Sequence, residues 1–206
     1  MTGRFITVEG GEGGGKSTQL ARLAEALRAR GKTVVTTREP GGTPGAEDIR
    51  ALLMTGSEDR WNAQTEALLF AAARADHVAK LIRPALKRGD WVLCDRFIDS
   101  TRAYQGGAGG LADADIMALH RVGSGGLLPD RTLLLEIPVE EGAKRAAARA
   151  GESDRMGAKD PSYYTNVAET FRQMAAQELH RFRVIDASGE AEAVTVRALA
   201  ALDDLL

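Results

Sequence analysis

A chain of 206 residues is long enough for one domain that buries roughly 70% of the surface its unfolded form would expose, with no need of a covalent staple. Its 27 Lys and Arg against 29 Asp and Glu leave a net charge of −2, which excludes a global attraction to nucleic acid or anionic lipid and makes any anion site local. One cysteine excludes an intrachain disulfide, no stretch has the length of a membrane span and the N-terminus lacks the apolar run of a secretion signal, so the chain reads as soluble and cytoplasmic.

The first apolar run, residues 5–8, predicts a buried strand, and residues 10–17 follow it directly as GGEGGGKS. That segment fits G-x-x-x-x-G-K-[ST] at Gly10, Gly15, Lys16 and Ser17. Gly10, Gly11, Gly13, Gly14 and Gly15 let backbone N–H groups turn inward around phosphate oxygens, with Glu12 among them, and a helix predicted over 16–28 points its positive end at the same anion. Lys16 then reaches the β- and γ-phosphates, Ser17 helps hold Mg²⁺, and Thr18 completes the ATP-binding set.

A second strand, 33–37, runs into Thr37-Arg38-Glu39-Pro40-Gly41-Gly42-Thr43, a charged pair followed by a rigid, glycine-opened turn. Arg38 is placed either to clamp a substrate phosphate or to solvate the surface. Helices are predicted over 44–54 and 64–87. On the longer one, Phe70 and Arg74 share a face four residues apart, which suits a nucleobase, although Phe70 as core and Arg74 as a snorkelling cation fit the same spacing. The third strand, 91–94, contains Cys94 as a buried, inert thiol and ends in Asp95-Arg96, where a phosphate-loop protein needs a carboxylate for Mg²⁺. Arg96 offers a fork to a second phosphate or a structural ion pair with Glu9 or Asp95. Tyr104 and Gln105 supply a ring and an amide suited to a sugar or base, or to ordinary packing.

Beyond them, 106–110 and 123–126 read as glycine loops, 112–122 as a helix, 132–137 as a strand and 139–150 as a helix. Residues 150–161 lack periodicity and read as mobile; a helix over 162–180, a strand over 182–185 and a helix over 191–205 complete the chain. The alternation predicts an α/β fold, a parallel sheet covered by helices, in a single domain over 1–206. His77, His120 and His180 show no ligand spacing, which argues against zinc.

Taken together, Val8-Glu9-Gly10, the phosphate loop, TREPGGT at 37–43, Phe70 with Ala73-Arg74, Asp95-Arg96-Phe97 followed by Ser100-Thr101, and Tyr104-Gln105-Gly106 resemble the bacterial thymidylate kinase family over nearly the whole chain. The resemblance implies a P-loop NTPase-type three-layer fold with a five-stranded parallel sheet, a short mobile lid over about 149–162, a homodimer, and phosphoryl transfer from Mg·ATP to dTMP. It implies that Phe70 stacks on thymine, Arg74 donates to a base carbonyl and Thr101 faces the base N3 edge, with Ser100 and Gln105 in the dTMP-binding set. It further implies that Arg38 and Arg96 hold the dTMP phosphate, that Tyr104 crowds the 2′ position, and that Glu9, Ser17 and Asp95 surround the metal. Because residues 11–14 of the loop carry no arginine, the resemblance points to a lid-borne one, Arg149 first and Arg155 next, beside Arg145. Catalysis is thereby assigned to Lys16, Arg96, Arg149 and Glu9. Two alternatives stay open: a deoxynucleoside kinase with Glu39 or Glu9 as base, and a non-catalytic nucleotide-binding module.

Overall fold

A computed structural model of the chain describes residues 3–147 and 160–206. Five strands, β1 (Arg4–Glu9), β2 (Val34–Arg38), β3 (Trp91–Asp95), β4 (Arg131–Glu136) and β5 (Phe182–Asp186), form an all-parallel sheet in the order β2-β3-β1-β4-β5. The central strands β1, β3 and β4 are buried almost throughout because they are covered on both faces, whereas the edge strands β2 and β5 are only partly buried. On one face Ile6, Val8, Leu93 and Leu133 pack with Leu23 and Leu27 of α1 (Lys16–Ala29) and Val194 and Ala198 of α9 (Ala191–Ala200). On the other, Phe5, Val92 and Cys94 pack with Phe97, Ile82 and Ile116. These are the three layers the sequence predicts.

The chain leaves β1 for β2 on one side, returns through β3, and crosses β1 to reach β4 and β5 on the other. The reversal sits beside the carboxyl end of β1, where open α/β sheets hold their ligands.

Side-chain caps fix several helix starts. Thr43 accepts from Ala46 N before α2 (Pro44–Met54), Asn62 accepts from Thr65 N before α3 (Ala63–His77), and Asp160 accepts from Ser162 N before α8 (Pro161–Gln177). The single helix predicted over 64–87 is instead α3, a π-helical turn over Val78–Ile82 and α4 (Arg83–Arg88). Pro84 has no N–H for the Lys80 carbonyl, and the wider turn lies just before it.

Residues 106–110, read as a loop, correct similarly. α5 (Ile98–Thr101) runs into a π-helical segment, Arg102–Ala108, that includes Gly106 and Gly107. A Cβ on Gly107 would lie 1.8 Å from Thr170 Oγ1 of α8, so this glycine permits close packing of two elements and does not mark a turn. α6 (Asp113–Ser124) extends past the predicted end into the expected loop at 123–126, α7 is Val139–Ala147, and the last helix stops at Ala200 before a 3₁₀ turn at Asp203–Leu205. Among the described residues no helix is long and apolar enough to cross a membrane.

Two observations on this frame are directly testable. In the loop between β1 and α1, Gly13 and Gly15 both have left-handed φ, 73° and 80°, but a Cβ on Gly13 would lie 2.0 Å from the Gly142 carbonyl of α7 whereas Gly15 has open space. Gly15→Ala should cost about 1 kcal/mol, the left-handed penalty alone, and Gly13→Ala about 3 kcal/mol or more because α7 must also move. Equal losses in urea denaturation would show that α7 does not press on the loop.

The second concerns His120, which is buried edge-on to Phe97, its Nε2 donating to Leu127 O at 2.7 Å. Burial, with the positive charge of Arg74, lowers its pKa from 6.5 to about 4. Between those values the unfolded chain takes up a proton that the folded chain refuses, so His120's contribution is complete above pH 6.5 and is lost as pH falls toward 4. His120→Gln, which keeps an N–H donor, should reduce the stability difference between pH 7.5 and pH 5 by on the order of 1–2 kcal/mol in urea titrations.

Candidate active site

A cavity of about 260 Å³ opens at the carboxyl ends of the strands. It is lined by Glu12, Gly13, Gly14, Gly15, Lys16 and Ser17 from the phosphate loop and by Phe70, Arg74, Asp95, Arg96, Ser100, Thr101, Tyr104 and Gln105. Segments far apart in sequence thus bring most of the candidate residues to one space.

The β1–β3 ladder explains the charged end. Val8 pairs with Asp95, and Arg96 N donates to Val8 O at 3.0 Å, so the start of the phosphate loop and the Asp95-Arg96 turn leave the sheet side by side. Ser17 Oγ donates to Asp95 Oδ2 at 2.8 Å. Lys16 Nζ donates to Gly10 O at 3.1 Å and Gly11 O at 2.7 Å, and burial, followed by repulsion from Arg96, lowers its pKa to about 8.

Arg96 is the one non-glycine described residue with positive φ, at 67°. A strained backbone at a site wall is informative because it persists only where surrounding contacts impose it. Here Nη2 donates to Glu12 Oε1 at 2.6 Å, Nη1 to Ser100 Oγ at 3.0 Å and Gly10 O at 3.2 Å, and the guanidinium lies 5.0 Å from the Tyr104 ring centre. The anticipated partners Glu9 and Asp95 are replaced by Glu12.

Glu9 is buried beneath the cavity, accepting from Phe97 N at 2.7 Å, with Ser100 Oγ 2.6 Å from its other oxygen. Burial, then the negative charge of Asp99, raises its pKa to about 8, against the opposing pull of Arg96. Cys94 is fully buried, and burial pushes its thiol well above its ordinary range.

At the other end, Phe70 is half-buried and lines the cavity, and Arg74 is 2% exposed. Arg74 Nε donates to Glu39 Oε2 at 2.7 Å and Nη2 to Thr101 Oγ1 at 3.0 Å. Gln105 Nε2 donates to Glu66 Oε2 at 3.0 Å.

Arg38 is not in the lining. Neighbouring residues of an extended chain point to opposite sides, so with Glu39 turned inward Arg38 faces outward, where it hydrogen-bonds both oxygens of Glu47 at 3.1 and 3.2 Å. The lining instead includes Arg50 and Met54, four residues apart on one face of α2, with Glu39, Pro40 and Phe97. The spacing of Arg50 and Met54 was present in the sequence, but nothing local told which face of α2 turns inward. Arg149 and Arg155 lie outside the described residues, as does most of the expected lid; its last residues, 160–162, form the capped start of α8. Arg145 donates to Glu141 at 2.5 Å.

Known proteins match this chain over almost its full length. The thymidylate kinase family model matches residues 8–197. A thymidylate kinase of Rhizorhabdus wittichii is 60% identical over 207 aligned positions, covering 100% of both chains, and one of Nitrobacter winogradskyi is 51% identical over 204, covering 98% of this chain and 89% of that protein. The crystal structure of thymidylate kinase from Ehrlichia chaffeensis superposes with a TM-score of 0.81 at 32% identity, covering 98% of this chain and 100% of that one. By family match, identity and shared fold, the chain belongs to the thymidylate kinase family.

Proposed function

We propose that this single domain transfers the γ-phosphoryl group of Mg·ATP to dTMP, giving dTDP and ADP in the supply of dTTP. The observation that carries the reading is the union, in one cavity, of a phosphate loop ending in Lys16 and Ser17 with the Phe70–Arg74–Thr101 surface, and of Arg96 bordering the same space. The lining is suited to small nucleotides, and the reading has the protein acting in the cytoplasm with neither nucleic acid nor membrane as partner.

The donor set suits Mg²⁺. Ser17 and Asp95 present hard oxygen atoms in mutual contact at the cavity, whereas Glu9 is outside the lining with Phe97 N and Ser100 at its two oxygens. Mg²⁺ is ordinarily held by one or two protein oxygens together with substrate phosphates, and when bound it neutralises phosphate charge.

The chain's own work is alignment and charge. A monophosphate has a second pKa of about 6, so at neutral pH dTMP is largely dianionic and attacks without losing a proton. Lys16 and Arg96 supply positive charge where two anions meet, and Phe70, Arg74, Thr101, Ser100, Tyr104 and Gln105 orient the acceptor. Arg38, exposed and paired with Glu47, is at the margin of this set, and Arg50 is the better-placed cation. The loop lacks an arginine, which supports Arg149, then Arg155, as the source of transition-state charge.

The deoxynucleoside kinase alternative needs a carboxylate base. Glu39 is a poor one, since Arg74 and His77 occupy its two oxygens. A homodimer is also proposed; the exposed Leu52, Leu68 and Val122 on α2, α3 and α6 offer apolar surface for it, and α3 packs against both other helices.

ADP formation measured with dTMP, dUMP, UMP, CMP, AMP and thymidine supplied separately, with the diphosphate product verified, should show a strong preference for dTMP. Activity only with thymidine would replace the reading by a nucleoside kinase, and silence with every acceptor by a binding module. Arg149→Ala should lower kcat by about 10³-fold with little change in dTMP affinity, as for an arginine acting on the transition state; unchanged turnover would remove Arg149 from the mechanism.

A further inference from the structure

We infer that Glu39 and His77 are positioning residues for base selection: they hold the Arg74 guanidinium as a donor-only reader and so set the preference for a 4-oxo over a 4-amino pyrimidine. The inference rests on the reading of the cavity as a dTMP site and assigns roles to two residues that the phosphoryl-transfer chemistry itself does not use.

Arg74 and His77 are three apart on α3 and share a face, and both reach Glu39 from that face. Glu39 is held from behind, its N–H donating to Asp95 O at 2.9 Å as an extension of the β2–β3 ladder. Its Oε2 accepts from Arg74 Nε at 2.7 Å and its Oε1 lies 3.0 Å from His77 Nδ1. An ionised carboxylate oxygen can only accept, so Nδ1 carries a proton, and in the neutral ring Nε2 is left to accept from the Thr37 hydroxyl at 2.7 Å. The three central groups are 5%, 2% and 0% exposed for Glu39, Arg74 and His77. A chain of contacts therefore runs from Thr37 on β2, where it is part-buried, through α3 to Thr101 on α5, where it is buried.

The consequence falls on Arg74. Its Nε is fixed by Glu39, one edge by Thr101 at 3.0 Å, and its plane by the Phe97 ring 5.2 Å away. Among the described residues Nη1 has no hydrogen-bond partner, and the side chain lines the cavity. What remains to read a base is N–H groups alone, since a guanidinium has no acceptor. A ring carbonyl satisfies such an edge, whereas the amino group of a 4-aminopyrimidine sets donor against donor. Discrimination of this kind depends on the reader being unable to turn away, because a buried site rejects a mismatch only while its polar groups stay in place. Glu39 prevents that rotation, and His77 prevents Glu39 from following it.

Steady-state kinetics with dTMP and dCMP under saturating Mg·ATP test the assignment in His77→Ala, Thr37→Val, Glu39→Ala and Glu39→Gln, each checked for folding by its thermal transition. His77→Ala should raise KM for dTMP about tenfold with kcat within about twofold, and lower the dTMP-to-dCMP ratio of kcat/KM by about tenfold, the scale of one charged hydrogen bond. Thr37→Val, nearly isosteric and at the outer end, should move the ratio the same way by less, and serves if His77→Ala does not fold. Glu39→Gln should keep most of the selectivity that Glu39→Ala loses, because its amide oxygen can accept from Arg74 while His77 changes tautomer to accept from the amide NH₂. Folded His77→Ala and Thr37→Val proteins with the wild-type ratio overturn the inference, as does a Glu39→Gln protein no more selective than Glu39→Ala. A wild-type protein without dTMP turnover overturns the dTMP reading, and this inference with it, and is distinct from a selective enzyme whose variants stay selective.

Discussion

The parallel ladder between β1 and β3 decides where the charged groups of this protein can stand. Because Val8 is opposite Asp95 in a parallel ladder, two chain segments leave the sheet side by side from the same point, one as the phosphate loop and the other as the Asp95-Arg96 turn. A slip of one residue in that register would turn every side chain of β3 to the opposite face, exchanging the buried positions of Val92 and Cys94 with that of Leu93 and carrying Asp95 away from Ser17. The left-handed backbone of Arg96 belongs to the same constraint: it redirects the chain at once from strand into α5 while leaving the guanidinium over the loop.

Around that point the structure places charge in pairs, and burial sets the strength of each pairing. The net charge of −2 says nothing of this arrangement, which is local. Besides the Glu39–Arg74 pair, Asp99 is fully buried and receives Arg181 at 2.6 and 2.7 Å, Arg102 at 3.3 Å and Thr132 at 3.2 Å, while Glu178 joins both arginines. Such clusters are weak sources of net stability, since desolvation offsets their attraction, but removing one member leaves an uncompensated charge. Their value here is positional. Asp99 ties the start of α5 to β4 and to the chain just before β5, and the next residues along α5 are Ser100 and Thr101.

Much of this was legible in the sequence, for physical reasons that differ from element to element. The central strands were readable because both of their faces are covered, the phosphate loop because its chemistry is contained in eight consecutive residues, and Phe70 with Arg74 because helical spacing alone puts them on one face. The π-helical segments were not, because they differ from α-helix by one hydrogen-bond register and leave no mark on apolar periodicity. The partners of Glu39 were not legible for another reason. The sequence offers it only as a candidate base in a charged, turn-like segment, and the groups that engage it, Arg74 and His77, are 35 and 38 residues away. Once Glu39 is known to face inward, the outward course of Arg38 follows from strand geometry, so one tertiary pairing accounts for both departures from the sequence reading.

The carboxylates explain why such a site suits an acceptor that is already ionised. Glu12 receives Arg96 and the Tyr104 hydroxyl, Glu39 receives Arg74 and His77, and Asp95 receives Ser17. Glu9 has the basicity to take up a proton, with its pKa raised to about 8, but it lies fully buried with Phe97 N and Ser100 on its two oxygens. These four carboxyl groups are thus engaged in holding a cation, a hydroxyl or a backbone N–H in place, which is costly for activating a neutral hydroxyl and costs nothing for a phosphate dianion. A site organised in this way obtains rate from alignment and from cations whose directions are fixed before substrate arrives, and its carboxylates contribute by fixing them.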